Sequence, residues 1–105
     1  MNTSDTEYKI LKILEQNPQM TQREVADELG VSLGKTHYVI RALIDKGLVK
    51  LGNFRKSNNK VGYIYLLTPK GLIQKSDLAQ SFLVQKKQEY EDLKTEIEEL
   101  TKESG

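Results

Sequence analysis

Apolar residues recur along the chain with two periods, and the change of period divides it into elements. Tyr8, Leu11 and Leu14, with Ile10 and Ile13 alongside, form the apolar side of a first helix. Ser4 followed by Glu7 has the spacing of a capping box and predicts its start; Asn17-Pro18 predicts its end. Thr21 and Glu24 repeat the box and open a second helix, with Val25, Ala26 and Leu29 on one side. Gly30 ends it, because the turn after a helix favours a residue that tolerates positive φ. Ser32 is the next N-cap, and Thr36, Val39 or Ile40, and Leu43 then recur at helical spacing until Lys46-Gly47. Two short helices joined by a short glycine-containing turn predict a helix-turn-helix.

Beyond Gly47 the segments LVKLGNF and VGYIYLL are β-prone, and the polar, basic RKSNNK lies between them. Asn58-Asn59 suits the tip of a hairpin, since asparagine accepts left-handed backbone angles more readily than most residues. The strands are expected to close the core under the helices while their loop projects as a wing. Thr68 caps and Pro69 starts a last helix that meets no clear breaker until about residue 101, with Gly71 weakening its start. At 1.5 Å per residue this helix would be on the order of 50 Å long, more than the width of a domain of about 70 residues. It must overhang.

The expected fold is mainly α with a small β-hairpin (α+β). A winged helix-turn-helix occupies residues 1–68, and a long C-terminal dimerisation helix occupies residues 69–105. Within that helix Leu83, Tyr90, Leu93, Ile97 and Leu100 fall at alternating a and d positions of a heptad, with Lys86 the exception. A single helix packing its stripe on its own domain is a viable reading for Leu72 and Leu78 but a poor one for the distal end, which the domain would not reach. Glu89 and Glu96 then occupy g, and Lys87 and Lys94 occupy e. In a parallel pair Glu89 meets the other chain's Lys94, whereas an antiparallel pair sets like charges together, so a parallel homodimer is expected.

Charge sharpens the picture. The 105 residues carry a net charge of only +1, but its distribution is lopsided. Lys35, Arg41, Lys46, Lys50, Arg55, Lys56 and Lys60 crowd the middle against Asp45 alone. Glu89, Glu91, Asp92, Glu96, Glu98, Glu99 and Glu103 dominate the end against Lys94 and Lys102. A cationic middle and an anionic tail make a dipolar molecule with a local basic face.

The stretch GVSLGKT resembles a phosphate loop but is not one. A Walker A loop needs four residues between its first glycine and Gly-Lys, and it follows a buried strand. Here only Val31, Ser32 and Leu33 intervene, and an amphipathic helix precedes them. Gly30 is therefore read as a turn residue and Ser32 as a cap. The third helix presents Leu33, Gly34, Lys35, His37, Tyr38 and Arg41 away from the core. A helix of that kind fits the DNA major groove, where base edges present distinguishable donors and acceptors. Lys35 and Arg41 suit guanine edges or phosphates, His37 and Tyr38 suit either, and Gly34 permits close backbone approach. Ser32 and Thr21 are caps first, although a helix N-terminus also accommodates phosphate. Arg55, Lys56, Asn58, Asn59 and Lys60 form the expected DNA-binding wing. The partner so predicted is double-stranded DNA.

Other chemistries find little support. The chain has no cysteine and a single histidine, so no zinc site is expected, and no cofactor. The acidic residues follow helical surface patterns without a nucleophile-base set, so no enzyme is expected. No apolar run approaches the roughly 18 residues of a membrane span. With the polar start MNTSDTEYK, this predicts a soluble cytoplasmic chain without membrane partners.

Over TQREVADELGVSLGKTHYVIRALIDKGLV, and again at LLTPKG after the wing, the sequence resembles MarR-type winged-helix transcription regulators. Including the YEDLKTEIEEL ending, it is similar to the small bacterial members associated with exopolysaccharide gene clusters. The resemblance implies a cytoplasmic, homodimeric, sequence-specific DNA-binding regulator. Typical members carry more helical sequence at the N-terminus, which joins dimerisation and helps form a ligand pocket. Thiol sensing is excluded by the lack of cysteine. Thr36 stands where an aliphatic residue is usual, and its methyl can still be buried. The competing reading is a winged-helix scaffold that recruits a protein through its coiled coil. RNA ranks third, because the deep A-form groove excludes a recognition helix.

Overall fold

The structure, a computed structural model, describes residues 3–55 and 61–105. The expected wing tip, with Lys56, Asn58, Asn59 and Lys60, lies outside the described residues, as does the side chain of Arg55. The described elements are α1 (Thr3–Gln16), α2 (Gln22–Leu29), α3 (Leu33–Asp45), β1 (Val49–Arg55), β2 (Val61–Leu67) and α4 (Pro69–Ser104). β1 and β2 pair antiparallel, with Val49 opposite Leu67 and Leu51 opposite Tyr65. This is a winged helix-turn-helix followed by a long C-terminal helix.

The core forms where the predicted stripes converge. Ile10, Leu11 and Leu14 of α1 meet Val25 of α2 and Val39, Ile40 and Leu43 of α3, and the base of the hairpin closes the cluster through Val49 and Tyr65. Both Val39 and Ile40 are buried. Thr36 is buried as well, and its hydroxyl donates to the Ser32 carbonyl at 3.0 Å, so no polar atom is stranded. Among the described residues, the base of the hairpin serves the core. Further out, Leu51 and Tyr63 are exposed.

The local signals that end and begin helices hold at most junctions. Thr21 accepts from the Glu24 N–H at 3.1 Å and the Glu24 carboxylate accepts from the Thr21 N–H at 3.2 Å. Gly30 and Gly47 adopt φ of 68° and 74°, the left-handed region that glycine enters without a Cβ penalty. Thr68 accepts from the Gly71 N–H at 3.0 Å ahead of Pro69. The predicted start at Ser4 is the exception. α1 begins at Thr3, so Ser4 lies inside the helix. Glu7, expected to complete a capping box, is largely buried and accepts from the Lys46 ammonium at 3.2 Å. A cation at the end of α3 outcompetes the local partner.

Gly71 also has a different role from the one its helix propensity suggests. A Cβ there would overlap the Leu48 carbonyl. The same carbonyl accepts from the Thr68 N–H at 3.1 Å, and the Thr68 hydroxyl donates to the Gly47 carbonyl at 2.6 Å. Glycine is needed because α4 crosses the start of β1 backbone to backbone. The proximal part of α4 then lies along α1, with Phe82 against Tyr8 at 5.4 Å between ring centroids and Lys75 paired to Glu15 at 2.7 Å. Leu78 packs against the core, whereas Leu72 is exposed, because it lies about a quarter turn round α4 from the face that carries Gly71, Lys75, Leu78 and Phe82.

Gly71→Ala is expected to destabilise the fold by about 2 kcal/mol, since the overlap with backbone outweighs the roughly 1 kcal/mol that alanine gains in a helix. Gly34→Ala, where a Cβ meets nothing within 4 Å, is expected to cause no loss. Urea denaturation of the two variants checks the contrast.

Candidate nucleic-acid interface

The outward face of α3 follows from how its inner face is held. Thr36, Val39, Ile40 and Leu43 are committed to the core, so helical geometry turns Gly34, His37, Tyr38 and Arg41 outward. All four are exposed, and Tyr38 retains 70% of its accessible surface. Leu33 is exposed and Lys35 is half-buried. Ser32 caps the helix by accepting from the Lys35 N–H at 3.0 Å. The Val31 N–H donates to the Ala26 carbonyl at 3.1 Å, which fixes the turn between α2 and α3. The surface is polar and rigidly backed.

Arg41 lies 3.4 Å from Asp45 one turn on, with both side chains about two-thirds exposed. Such an exposed pair is worth little in water, so Asp45 holds Arg41 only weakly. Lys46, counted with the basic middle of the sequence, is tied to Glu7 by its ammonium. Lys50 is exposed on β1. The wing cations Arg55, Lys56 and Lys60, with Asn58 and Asn59, fall where side chains are not described.

Two contributors were not evident in the sequence. Gln22, the first residue of α2, places its Oε1 3.1 Å from His37 Nδ1 and donates through Nε2 to the Tyr65 hydroxyl at 3.1 Å. Tyr65 is nine-tenths buried, and its N–H donates to the Pro18 carbonyl at 2.9 Å. No local pattern announces this chain of bonds. Its members lie 15 and 43 residues apart.

The second surface is on α4. Leu83, Tyr90, Leu93, Ile97 and Leu100, the expected dimer positions, are all exposed by more than half. Leu72 shares their stripe, at d of the same heptad phase, so the stripe starts nearer the N-terminus of α4 than expected. The molecule is 68 Å along its longest axis, and the distal stripe is far from the core. Lys86, at a d position, donates to Glu89 of its own helix at 3.1 Å. Among the described residues no helix is long and apolar enough to cross a membrane, and no group of three or more His, Asp or Glu side chains could hold a metal.

Residues 3–50 match the family profile described as winged helix-turn-helix DNA-binding. No curated protein sequence matches the chain. Among solved structures the chain is similar to a MarR transcriptional regulator from Methanosarcina mazei Go1, at 24% identity and a TM-score of 0.55, over 71% of this chain and 52% of that one. It is similar to an S. aureus MepR variant bound to an oligodeoxyribonucleotide, at 16% identity and a TM-score of 0.62, over all of this chain and 80% of that one. It is also similar to Streptococcus pneumoniae FabT in complex with DNA, at 27% identity and a TM-score of 0.52, over 84% of this chain and 59% of that one. The chain thus spans little more than half the length of the Methanosarcina regulator. The shared architecture is the MarR-like winged helix.

Removing the cap of α3 separates its local from its tertiary support. Ser32→Ala is expected to cost about 1 kcal/mol in chemical denaturation, the usual loss for an N-cap hydroxyl. Ser32→Asp is expected to retain most of the wild-type stability.

Proposed function

We propose that the chain is a sequence-specific, double-stranded-DNA-binding transcriptional regulator of the MarR type, working as a cytoplasmic homodimer. Residues 1–68 form the DNA-binding unit, and residues 69–105 the dimerisation element. The observation that carries this reading is the division of α3, whose inner stripe is locked in the core while Gly34, His37, Tyr38 and Arg41 stand open on a convex, rigid face. A convex polar helix suits a groove and offers no cleft for catalysis, so no enzymatic role is proposed. MepR and FabT, which were solved with DNA, share the fold and support the same use of it.

In this reading the N-terminal half of α3 enters the major groove, with Lys35 and Arg41 at base edges or phosphates and the wing, from Arg55 to Lys60, along the adjacent backbone. The acidic distal half of α4 is repelled by phosphate, which keeps the basic faces toward the duplex. The exposed a and d stripe of α4, interrupted by Lys86, supports pairing with a second copy, because such an apolar seam on an overhanging helix is costly in water. The likeness of the whole sequence to the exopolysaccharide-associated regulators supports that class of genes as the target.

Lys35→Ala combined with Arg41→Ala is expected to weaken binding to duplex selected from a random pool by about tenfold to a hundredfold, read by fluorescence anisotropy with helicity checked in parallel. Unchanged affinity would favour a protein-recruiting scaffold. Leu93→Glu with Ile97→Glu is expected to convert a dimer into a monomer in sedimentation. Parallel pairing predicts that Glu103→Cys cross-links the dimer under oxidation, and a dimer that resists cross-linking would refute that orientation.

A further inference from the structure

His37 differs from the other outward residues of α3 because its orientation is set from the core. Tyr65 is held twice, by burial and by the bond from its N–H to the Pro18 carbonyl at 2.9 Å. Gln22 bridges from its hydroxyl to His37 Nδ1, with both contacts at 3.1 Å. With the Gln22 amide nitrogen donating to Tyr65, its oxygen faces the imidazole and accepts from Nδ1–H. The neutral ring then has a bare lone pair on Nε2, on the side away from Gln22. The His37 side chain is exposed, and around Gly34, a turn earlier, the surface is open, since a Cβ there would meet nothing within 4 Å.

We infer that Gln22 and Tyr65 are positioning residues that fix the His37 tautomer, so that Nε2 accepts a hydrogen bond from the exocyclic amino group of adenine or cytosine in the major groove. The inference rests on the DNA-reading role proposed above. Adenine N6 and cytosine N4 are the amino donors that the major groove presents, whereas guanine and thymine present acceptors there. A ring free to carry its proton on Nε2 would donate instead, and would favour guanine or thymine. The relay therefore converts an ambiguous side chain into an acceptor. It also ties base reading to β2, since the residue that anchors it lies on a wing strand.

The single histidine makes the first test unambiguous. Long-range 1H–15N correlation in mildly alkaline buffer is expected to show the His37 proton on Nδ1 in the free protein. Gln22→Ala should shift the population toward the Nε2–H form that free imidazole prefers in water. A wild-type proton on Nε2, or a tautomer that ignores Gln22→Ala, would overturn the inference.

The second test compares the selected duplex with versions altered at single base pairs. One A or C position is expected to lose its preference, from about fivefold or tenfold toward none, in both His37→Ala and Gln22→Ala. The double variant should lose no more. Gln22→Glu, whose carboxylate still accepts from Nδ1–H but also favours the imidazolium, whose Nε2–H donates, should restore the preference only in alkaline buffer that keeps the ring neutral. If the wild type binds no duplex, the DNA-reading proposal falls and takes this inference with it. If it binds with base preferences that Gln22→Ala leaves intact, the inference alone falls.

Discussion

The burial of one stripe of α3 is the constraint from which the rest of the molecule follows. Thr36, Val39, Ile40 and Leu43 lie at helical spacing and pack against Leu11 and Leu14 of α1 and the base of the hairpin. Each large aliphatic side chain so buried contributes about 1.5 to 3 kcal/mol, so the helix has one stable rotation about its axis. The residues between the stripe positions are then outward as a matter of geometry. Nothing about DNA has to be assumed for Tyr38 and Arg41 to face solvent.

A second set of contacts decides where α4 goes. It leaves the hairpin through a crossing that only glycine permits, Gly71 over the Leu48 carbonyl, and is then held along α1 by Tyr8 against Phe82 and Glu15 with Lys75. Glu7 and Lys46 join α1 to the end of α3, so α3 and the exit of α4 are both referred to α1. A rigid link of this kind means that the pairing of two α4 helices would set the separation and orientation of two α3 helices. Dimer geometry and half-site spacing are then one problem.

Much of the fold was legible in the sequence because its signals are local. Capping requires residues three apart, a left-handed turn requires glycine, and a stripe requires only periodicity; Thr21 with Glu24, Gly30, Ser32 and Thr68-Pro69 all behave accordingly. What was not legible depends on partners distant in the chain. Ser4 and Glu7 have the spacing of a capping box, yet Lys46 claims the carboxylate from 39 residues away. Gly71 reads as a weak helix former until the strand start beneath it is seen. Leu72 was a candidate for packing on the domain because it is apolar, but it lies about a quarter turn from the face that Gly71 sets against β1 and stays exposed. The outward residues of α3 were readable from its phase, while Gln22 and Tyr65 were not, since a hydrogen-bond relay through three elements leaves no periodic trace.

The most direct measurement of the central claim is the affinity of the full chain for random duplex DNA across a salt series, read by fluorescence anisotropy. Groove reading by α3 with phosphate contacts from its flanks predicts that the logarithm of the association constant falls linearly with the logarithm of salt, each neutralised phosphate adding about 0.9 to the slope. An absence of binding at low salt would contradict it, and the exposed face of α3 would then have to be explained as a surface for protein.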